Sequence, residues 1–562
     1  MSQAHQRRSH RASYGRPRRV LLAAFVVFFA ATALWSLETP LISAPDEQVQ
    51  VAKAAAVVRG ELVGHLIDGP SSPNGIVTIP AAYANLGYLV TCYQFNANTP
   101  ASCAPAFHNA TGTVPDIIYD ARYQPLYYAI VGIPSLFTDS ALGIYLMRLV
   151  SAALSAVFLA LAVMAVVTWS RSRLLLAGIA VAATPSVLFF AGVVNPSGLE
   201  ISIGICLWTC LLILARERLK DPPAGLVALV AISGGIESLV RSISPFWVAL
   251  IFLVALAVAD WSQLREFLRL PMVWVAGGFT AVCGAVGTAW VLVEHSLNVL
   301  PGATRLPPKI SEGHLLVEEL LRAAQLYTEM VSRFGWLSAP SPEVTYLLWA
   351  GLLGLLMVLA FATNSVRSCT MLVLVVIAVV AIPMVISASQ ARRLGIIWQG
   401  KDTLPFAVGV PLLASSMLST SVLASSRSLT TRLVGVVAAS AGLGTLVALW
   451  GDLRRNAVGD AGPALSFFGA RWQPPLSIAG TLALGLFVTT VLVTMLAVLG
   501  ASPAQARSIS APPARRNGPI LSPDRPDAPD RLDHSYPPPP LDMVVHSQPS
   551  LPAEPFDGAE HA

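Results

Sequence analysis

The chain has 562 residues, of which 54% are hydrophobic and only 12% are charged. Soluble domains carry about 25% charged residues, so this composition excludes a soluble fold and indicates that lipid is the main solvent. The formal net charge of +5 is not accompanied by a nucleic-acid-binding motif, so we expect no nucleic-acid partner.

Apolar blocks of roughly 17 to 25 residues recur along the chain, and this is the length that crosses about 30 Å of hydrocarbon. We therefore predict an all-α polytopic membrane protein with about 12 transmembrane helices. The predicted spans are 20–37, 142–168, 174–194, 198–215, 224–241, 244–259, 272–293, 344–363, 370–389, 403–423, 433–451 and 476–499.

The charged flanks predict the orientation and the domain limits. The basic N-terminal tail, residues 1–19, should be disordered and cytoplasmic, because arginines near a span stay inside. An even number of spans in the membrane domain, residues 20–500, returns the C-terminus to the cytoplasm. Arginine and alanine are abundant and there are only four lysines, which indicates a GC-rich bacterial genome and hence a bacterial plasma membrane.

The first outward loop, residues 38–141, is too long and too aromatic for a simple connector, so we expect a small structured unit. Near its start, Ser43 is a predicted N-cap with Asp46 as its capping-box partner, and Gly60 ends the helix. Cys92 and Cys103 share this loop and could form a disulfide in an oxidising compartment.

Two further segments stand out by composition. A second large outer loop, residues 294–343, has apolar residues at helical spacing and should add a surface helix. The C-terminal tail, residues 501–562, is rich in proline and should be disordered and cytoplasmic. Its proline run could bind a protein partner of the SH3 type, and the alternative is an inert linker.

The first candidate for chemistry is the adjacent pair Asp46 and Glu47, just beyond the first span. Two carboxylates at a helix N-terminus could accept a proton from a hydroxyl nucleophile or hold a divalent cation. The alternative is that Asp46 only caps the helix. No cysteine and histidine cluster has zinc spacing, and the sequence leaves the question of a metal open.

A second candidate precedes the second span, where Arg122 and Tyr123 are predicted to contact substrate or a lipid phosphate. An interfacial aromatic belt explains Tyr127 and Tyr128 equally well, but it explains Arg122 less well. Charges inside the spans are costly unless they pair or face a polar cavity. Glu237 and Arg241 are four residues apart on one helix face, and we predict that they pair.

The third candidate lies between the ninth and tenth predicted spans. Cations beside an amide at the outer surface suit an anionic ligand such as a phosphate on a lipid carrier. The alternative is contact with ordinary anionic headgroups. The residues are Gln390, Arg392, Arg393, Gln399 and Lys401.

Several short motifs, in order and on outward loops, resemble the bacterial membrane family DUF2142. They are Pro-Asp-Glu at 45–47, Tyr-Gln-Pro-Leu-Tyr-Tyr at 123–128, Asn-Pro-Ser-Gly at 195–198, Gly-Trp-Leu at 335–337 and Gln-Gly at 399–400. The resemblance covers roughly residues 20–500. The family looks like a branch of the GT-C superfamily of polyprenyl-phosphate-sugar-dependent glycosyltransferases.

The resemblance implies a GT-C-like architecture and an inverting sugar transfer at the outer face, from a polyprenyl-phosphate-linked donor to a cell-envelope glycan or glycolipid. Asp46 would be the general base, with Glu47 as an alternative or a helper. Arg392, Arg393 and Lys401 would offset the charge of the lipid phosphate. The chain departs from relatives that often have an arginine where it has Lys401.

Two other functions are compatible with the sequence. A transporter or flippase for envelope lipid or polysaccharide would need essential charges deep in the spans. A noncatalytic scaffold would recruit its partners through the proline-rich tail.

Overall fold

The computed structural model describes residues 2–67, 69, 72–217, 219–298 and 311–502. The first helix, α1 (Ser2–Glu38), continues without a break from the basic N-terminus into the first span. The structure describes Ser2 to Arg19 as part of this helix, and the disorder expected for residues 1–19 stays a prediction. Apart from its first two residues, the predicted disordered tail at 501–562 lies outside the described residues.

The loop that the sequence predicts to lie outside, called the first outer unit below, folds into a small unit of helices and strands, as expected. Its elements are α2 (Glu47–Val57), β1 (His65–Leu66), β2 (Gly75–Pro80), β3 (Thr113–Ile118) and α3 (Leu126–Val131). The strands form an antiparallel sheet in the order β1-β2-β3. The sheet packs on α2 through buried Val77 and Ile79, which alternate along β2 as one face of a strand must.

The start of α2 differs from the sequence prediction. Asp46, and not Ser43, occupies the N-cap position, and its side chain makes no capping hydrogen bond. The helix ends at Val57, so Gly60 lies beyond it. The capping-box interpretation was wrong, because the backbone at Asp46 is left-handed, with φ 64°, and its carboxylate accepts bonds from elsewhere in the fold.

Six helices follow: α4 (Ala141–Trp169), α5 (Leu175–Ala182), α6 (Pro185–Gly192), α7 (Pro196–Arg216), α8 (Ala224–Glu237) and α9 (Ser244–Val258). The third predicted span is a broken one, because α5 and α6 meet at an angle of 63°. Pro185 cannot continue the hydrogen bonding of α5, and the Thr184 hydroxyl caps the new helix at Val187 N.

The second outer segment and its flanks contain α10 (Trp261–Phe267), α11 (Pro271–Glu294), α12 (Glu312–Leu321), α13 (Ala323–Ser332), β4 (Arg333–Phe334) and β5 (Ala339–Pro340). The predicted surface helix is present as α12 and α13. The remaining helices are α14 (Glu343–Thr363), α15 (Val366–Leu394), α16 (Gly400–Ala407), α17 (Gly409–Ser419), α18 (Arg427–Val458) and α19 (Ser477–Ala501).

The structure confirms a multi-pass helical membrane protein, but not a count of 12 spans. Within the described ranges, nine helices are long and apolar enough to cross a membrane, or ten if the bent pair is one span. Helices α8 and α9 have only 14 and 15 residues. At 1.5 Å per residue they reach about 22 Å, which is less than the hydrocarbon thickness of about 30 Å.

Helix α7 lies at the centre of the bundle, in contact with α4, α6, α8, α9, α16 and α17. Its Trp208 is fully buried, whereas α11, α14 and α15 expose apolar side chains such as Val275, Leu347 and Ile377. This distribution fits helices that face lipid around a buried central helix. The end of α1 and the starts of α2, α7 and α16 meet at one end of the bundle, and they position the candidate site.

Candidate functional site

Asp46 lies at the centre of the candidate site and has partners from two distant parts of the chain. Its Oδ2 accepts a hydrogen bond from Lys401 Nζ at 2.9 Å, and its Oδ1 accepts one from the Tyr119 hydroxyl at 3.0 Å. The Asp46 side chain remains 29% exposed. Burial acts to raise the pKa of Asp46, but Lys401 and the two hydrogen bonds outweigh it, so the pKa lies below its usual value. The carboxylate is therefore ionised at neutral pH.

Lys401 belongs to a chain of alternating charges. The next residue, Asp402, accepts a hydrogen bond from Arg241 at 2.8 Å, and Arg241 also bonds Glu200 at 2.9 Å. The other Glu200 oxygen accepts from the Ser244 hydroxyl at 2.6 Å. Arg241 does not pair with Glu237, contrary to the sequence prediction, because it lies beyond the end of α8 and turns towards α7 and α16.

The Gln-Gly motif places α16 against the second outer segment. Gly400 N donates to Glu329 Oε2 at 2.7 Å. A Cβ at Gly400 would lie 2.7 Å from the Glu329 Cβ and 2.8 Å from Met330 N, so only glycine permits this approach. Gln399 N donates to Asp402 Oδ2 at 3.1 Å and fixes the first turn of α16, which carries Lys401.

Glu47 is turned away from Asp46 and is fully buried. It forms a two-bond ion pair with Arg148, with distances of 2.7 Å from Nε to Oε1 and 2.6 Å from Nη2 to Oε2. Val194 N also donates to Glu47 Oε1 at 3.1 Å. Asn195 Nδ2 donates to the Pro45 carbonyl at 3.1 Å, which ties the start of α7 to the same segment. These contacts anchor the backbone on both sides of Asp46.

Tyr123 lies in the electrostatic environment of Asp46. Burial raises its pKa, and although Arg241 opposes the shift, the nearby Asp46 and Asp120 add to it. Its neighbour Arg122 has a different setting. Arg122 is buried, with Nε donating to the Ser72 carbonyl at 2.9 Å and Nη1 to the Glu294 carbonyl at 2.8 Å.

The remaining predicted residues belong to α15 and to the first outer unit. Gln390 and Arg392 are exposed on the last turns of α15. Arg393 is also on α15, which ends before the turn at Gly395. In the first outer unit Cys92 and Cys103 form a disulfide, with Cα atoms 6.1 Å apart.

The arrangement suits proton transfer and anion binding. An ionised, partly exposed carboxylate can act as a base, and the cation beside it can meet a phosphate. Within the described ranges, no group of three or more acidic, histidine or cysteine side chains could hold a metal ion. Lys401 would also repel a divalent cation from the Asp46 carboxylate.

Two partners of the acidic pair, Tyr119 and Arg148, were missed by the sequence analysis. The ion pair between Arg241 and Asp402 was missed as well. Tyr119 and Arg148 had no motif around them. A signal for Arg148 did exist, since a lone arginine in the apolar sequence of α4 needs a buried acidic partner.

The apolar helices and the polar site at their ends define a multi-pass membrane protein. A family model described as "Predicted membrane protein (DUF2142)" matches residues 29–410, more than half of the chain. The chain therefore belongs to this family, as its motifs indicated.

Two solved structures resemble the chain weakly. The crystal structure of ArnT from Cupriavidus metallidurans in the apo state has a TM-score of 0.41 and 14% identity, covering 88% of this chain and 78% of ArnT. The crystal structure of ArnT from the same organism bound to undecaprenyl phosphate has a TM-score of 0.38 and 15% identity, covering 86% and 77%. No curated protein matches at a significant level. Likenesses of this size carry no inference about activity.

Proposed function

We propose that the chain is a GT-C-like membrane glycosyltransferase, which transfers a sugar from a polyprenyl-phosphate-linked donor to a glycan or glycolipid acceptor of the cell envelope. The observation that carries this proposal is the environment of the Asp46 side chain. It is an acidic side chain at a helix start that does no capping, remains partly exposed, and is held between a cation and a phenol.

In the proposed reaction, Asp46 takes the proton from the acceptor hydroxyl as its oxygen attacks the sugar carbon. The bond from that carbon to the phosphate oxygen breaks, and the electron pair leaves with the lipid phosphate. A positioned base contributes about a hundredfold to ten-thousandfold in rate. Glu47 does not take this role, because its two oxygens are engaged by Arg148 in a site without exposure.

Lys401 acts before and after the donor binds. It pairs with Asp46 when no anion is present, and its side chain is 7% exposed. An arriving phosphate would compete with Asp46 for the ammonium group and draw it away. Since Lys401 lowers the pKa of Asp46, its departure would raise that pKa and make the carboxylate a stronger base. Donor binding would thus activate the base.

The transporter alternative is disfavoured by where the charges lie. In α4 and α7 the buried charges Arg148 and Glu200 are eight and five residues from the helix starts, counting the first. At 1.5 Å per residue they lie within about 11 Å of the end that holds Asp46. A transport path would need polar groups through the middle of the spans, whereas a site at one face needs them only there.

We propose further that the end of the bundle that holds Asp46 lies at the outer face of the cytoplasmic membrane, with the N-terminus in the cytoplasm. The basic residues before the first span support this orientation. The disulfide between Cys92 and Cys103 supports it as well, because such bonds persist in oxidising compartments. Alkylation of intact cells with a membrane-impermeant thiol reagent, before and after reduction, should label these cysteines only after reduction.

Complementation of a deletion strain tests the function. Asp46→Asn should abolish incorporation of the transferred sugar, measured as envelope sugar composition, at an unchanged level of membrane-inserted protein. Asp116→Asn is the matched control, because Asp116 is an acidic residue of the same outer unit whose carboxylate accepts hydrogen bonds from the backbone N–H groups of Asn85 and Ile117. Normal envelope sugar from Asp46→Asn at normal abundance would refute the proposal.

A further inference from the structure

A polar cavity lies at the end of the bundle opposite to Asp46. It has a volume of about 850 Å³ and opens where α4, α7, α9 and α17 end and α15 begins. Glu200 of the candidate site and Arg216 of this cavity lie on the same helix, α7, about 24 Å apart at 1.5 Å per residue. The two sites are therefore separate.

Arginine and hydroxyl side chains dominate the lining of this cavity, which includes Arg171, Arg216, Arg367, Ser368 and Thr420. Arg216 is held loosely, with contacts of 3.4 Å each to the Ser368 hydroxyl, Asn364 Oδ1 and the Thr420 hydroxyl. Its Nε is buried without a hydrogen-bond partner among the described residues. A buried donor left unpaired is costly, so this geometry favours a site that is completed by an acceptor.

No carboxylate of the described residues forms a salt bridge with Arg216 or Arg367. Arg367 donates one hydrogen bond to the Ala257 carbonyl at 2.9 Å and is otherwise exposed. The acidic residue Glu217, also in the lining, is engaged by the Ser170 hydroxyl and by Arg171 N at 2.7 Å. The cavity thus offers two cations to an anion.

An apolar chamber of about 260 Å³ adjoins this cavity. It is enclosed by α7, α8, α9, α10 and α11, and its lining includes Leu214, Val230, Phe252, Leu264 and Trp274. The two spaces share Ala215, Ala259 and Asp260 as lining residues. A polar, cationic space therefore lies directly beside an apolar one.

We propose that these two spaces bind one anionic membrane lipid whose headgroup is a terminal phosphate. The phosphate lies between Arg216 and Arg367, because guanidinium groups form strong charge-assisted hydrogen bonds with phosphate. The acyl or prenyl chain enters the apolar chamber. The alternative is that these arginines only set the orientation of the protein in the membrane. Such arginines need neither a cavity nor an adjoining apolar chamber, and they have no buried Nε without a partner. The adjoining chamber selects a lipid over a soluble phosphate.

Native mass spectrometry of the full chain in detergent tests this site. Phosphatidic acid and phosphatidylcholine of the same chain length are the probes, and the first should give the more abundant adducts. The double change Arg216→Gln with Arg367→Gln should reduce the preference for phosphatidic acid at least about tenfold, since two charged hydrogen bonds are lost. Arg265→Gln is the matched control, an exposed arginine of α10 outside the cavity lining, and it should leave the preference unchanged.

The apolar half has its own variant. Ala255→Phe fills the chamber, so it should weaken binding of the long-chain lipid but not of inorganic phosphate, measured by competition. If inorganic phosphate displaces the lipid equally well from the unchanged protein and from Ala255→Phe, the ligand is a soluble phosphate and the lipid proposal is overturned. An unchanged preference in the double variant also overturns it. Arg367→Gln alone changes an exposed residue and keeps the test valid if Arg216→Gln fails to fold.

Discussion

Replacement of Glu47 by glutamine should destabilise the protein rather than remove a catalytic group. Arg148 makes five hydrogen bonds in a site without exposure, two to Glu47 and one each to the carbonyls of Ser36, Thr39 and Pro40. Glu47→Gln keeps the volume, so no cavity forms. It leaves the Arg148 charge buried with only neutral carbonyl partners.

The expected loss is about 3–5 kcal/mol of unfolding free energy, because this is the cost of removing one partner of a buried ion pair. Arg148→Met should cost a similar amount. The combined variant should be less unstable than the sum of the two, by about 0.5–3 kcal/mol, since neither charge is then left alone. If the losses of unfolding free energy in the two single variants simply add up in the combined variant, the two side chains are independent.

Unfolding in mixed micelles, followed by tryptophan fluorescence as the denaturing detergent is increased, measures these free energies. Glu343→Gln is a suitable control, because this exposed acidic residue should change stability by no more than about 0.5 kcal/mol. The reasoning is refuted if Glu47→Gln is as stable as the control and yet loses envelope sugar. In that case Glu47 would take part in the proposed chemistry together with Asp46.

Three further predictions concern the residues around the site. Burial raises the pKa of Asp120 to about 8. The protein should therefore lose stability as pH rises from the usual aspartate pKa through 8, and Asp120→Asn should make the unfolding midpoint depend less on pH over this range. Paired Cys92→Ser and Cys103→Ser should cost about 2–3 kcal/mol of unfolding free energy, the loop-closure value for a short loop. Arg241→Gln should lower envelope sugar at least tenfold by releasing the helix that carries Lys401, while Arg241→Lys restores part of it.

Helix positions could be predicted well because the bilayer fixes both length and composition. The predicted span 142–168 is helix Ala141–Trp169, and the predicted span 272–293 is helix Pro271–Glu294. The break between α5 and α6 was not predicted, although Pro185 was its visible signal. The sheet of the outer unit was missed because β2 and β3 pair across more than 30 residues, and no local pattern encodes so distant a partner.

For the site, the sequence identified the chemical groups but not how they pair. Asp46 and Lys401 were both candidates, one as a base and the other as a cation at an unexpected position, but their contact spans 355 residues. Arg392 was grouped with Lys401 because it is close in sequence. The structure puts it on the exposed end of α15, and Gly395, with a left-handed φ of 73°, turns the chain before α16.

The adjacent acids differ in their surroundings because they lie at the first turn of a helix. Successive helical side chains point about 100° apart, so Glu47 turns inward to Arg148 while the left-handed backbone directs Asp46 towards Lys401. The buried pair joins the end of α1, α4 and the start of α7, and it holds the segment that carries Asp46. In the proposed reaction, the base must keep its position, whereas the cation must be able to exchange partners. The rigid anchor therefore belongs beneath Asp46, and the exchangeable ion pair belongs beside it.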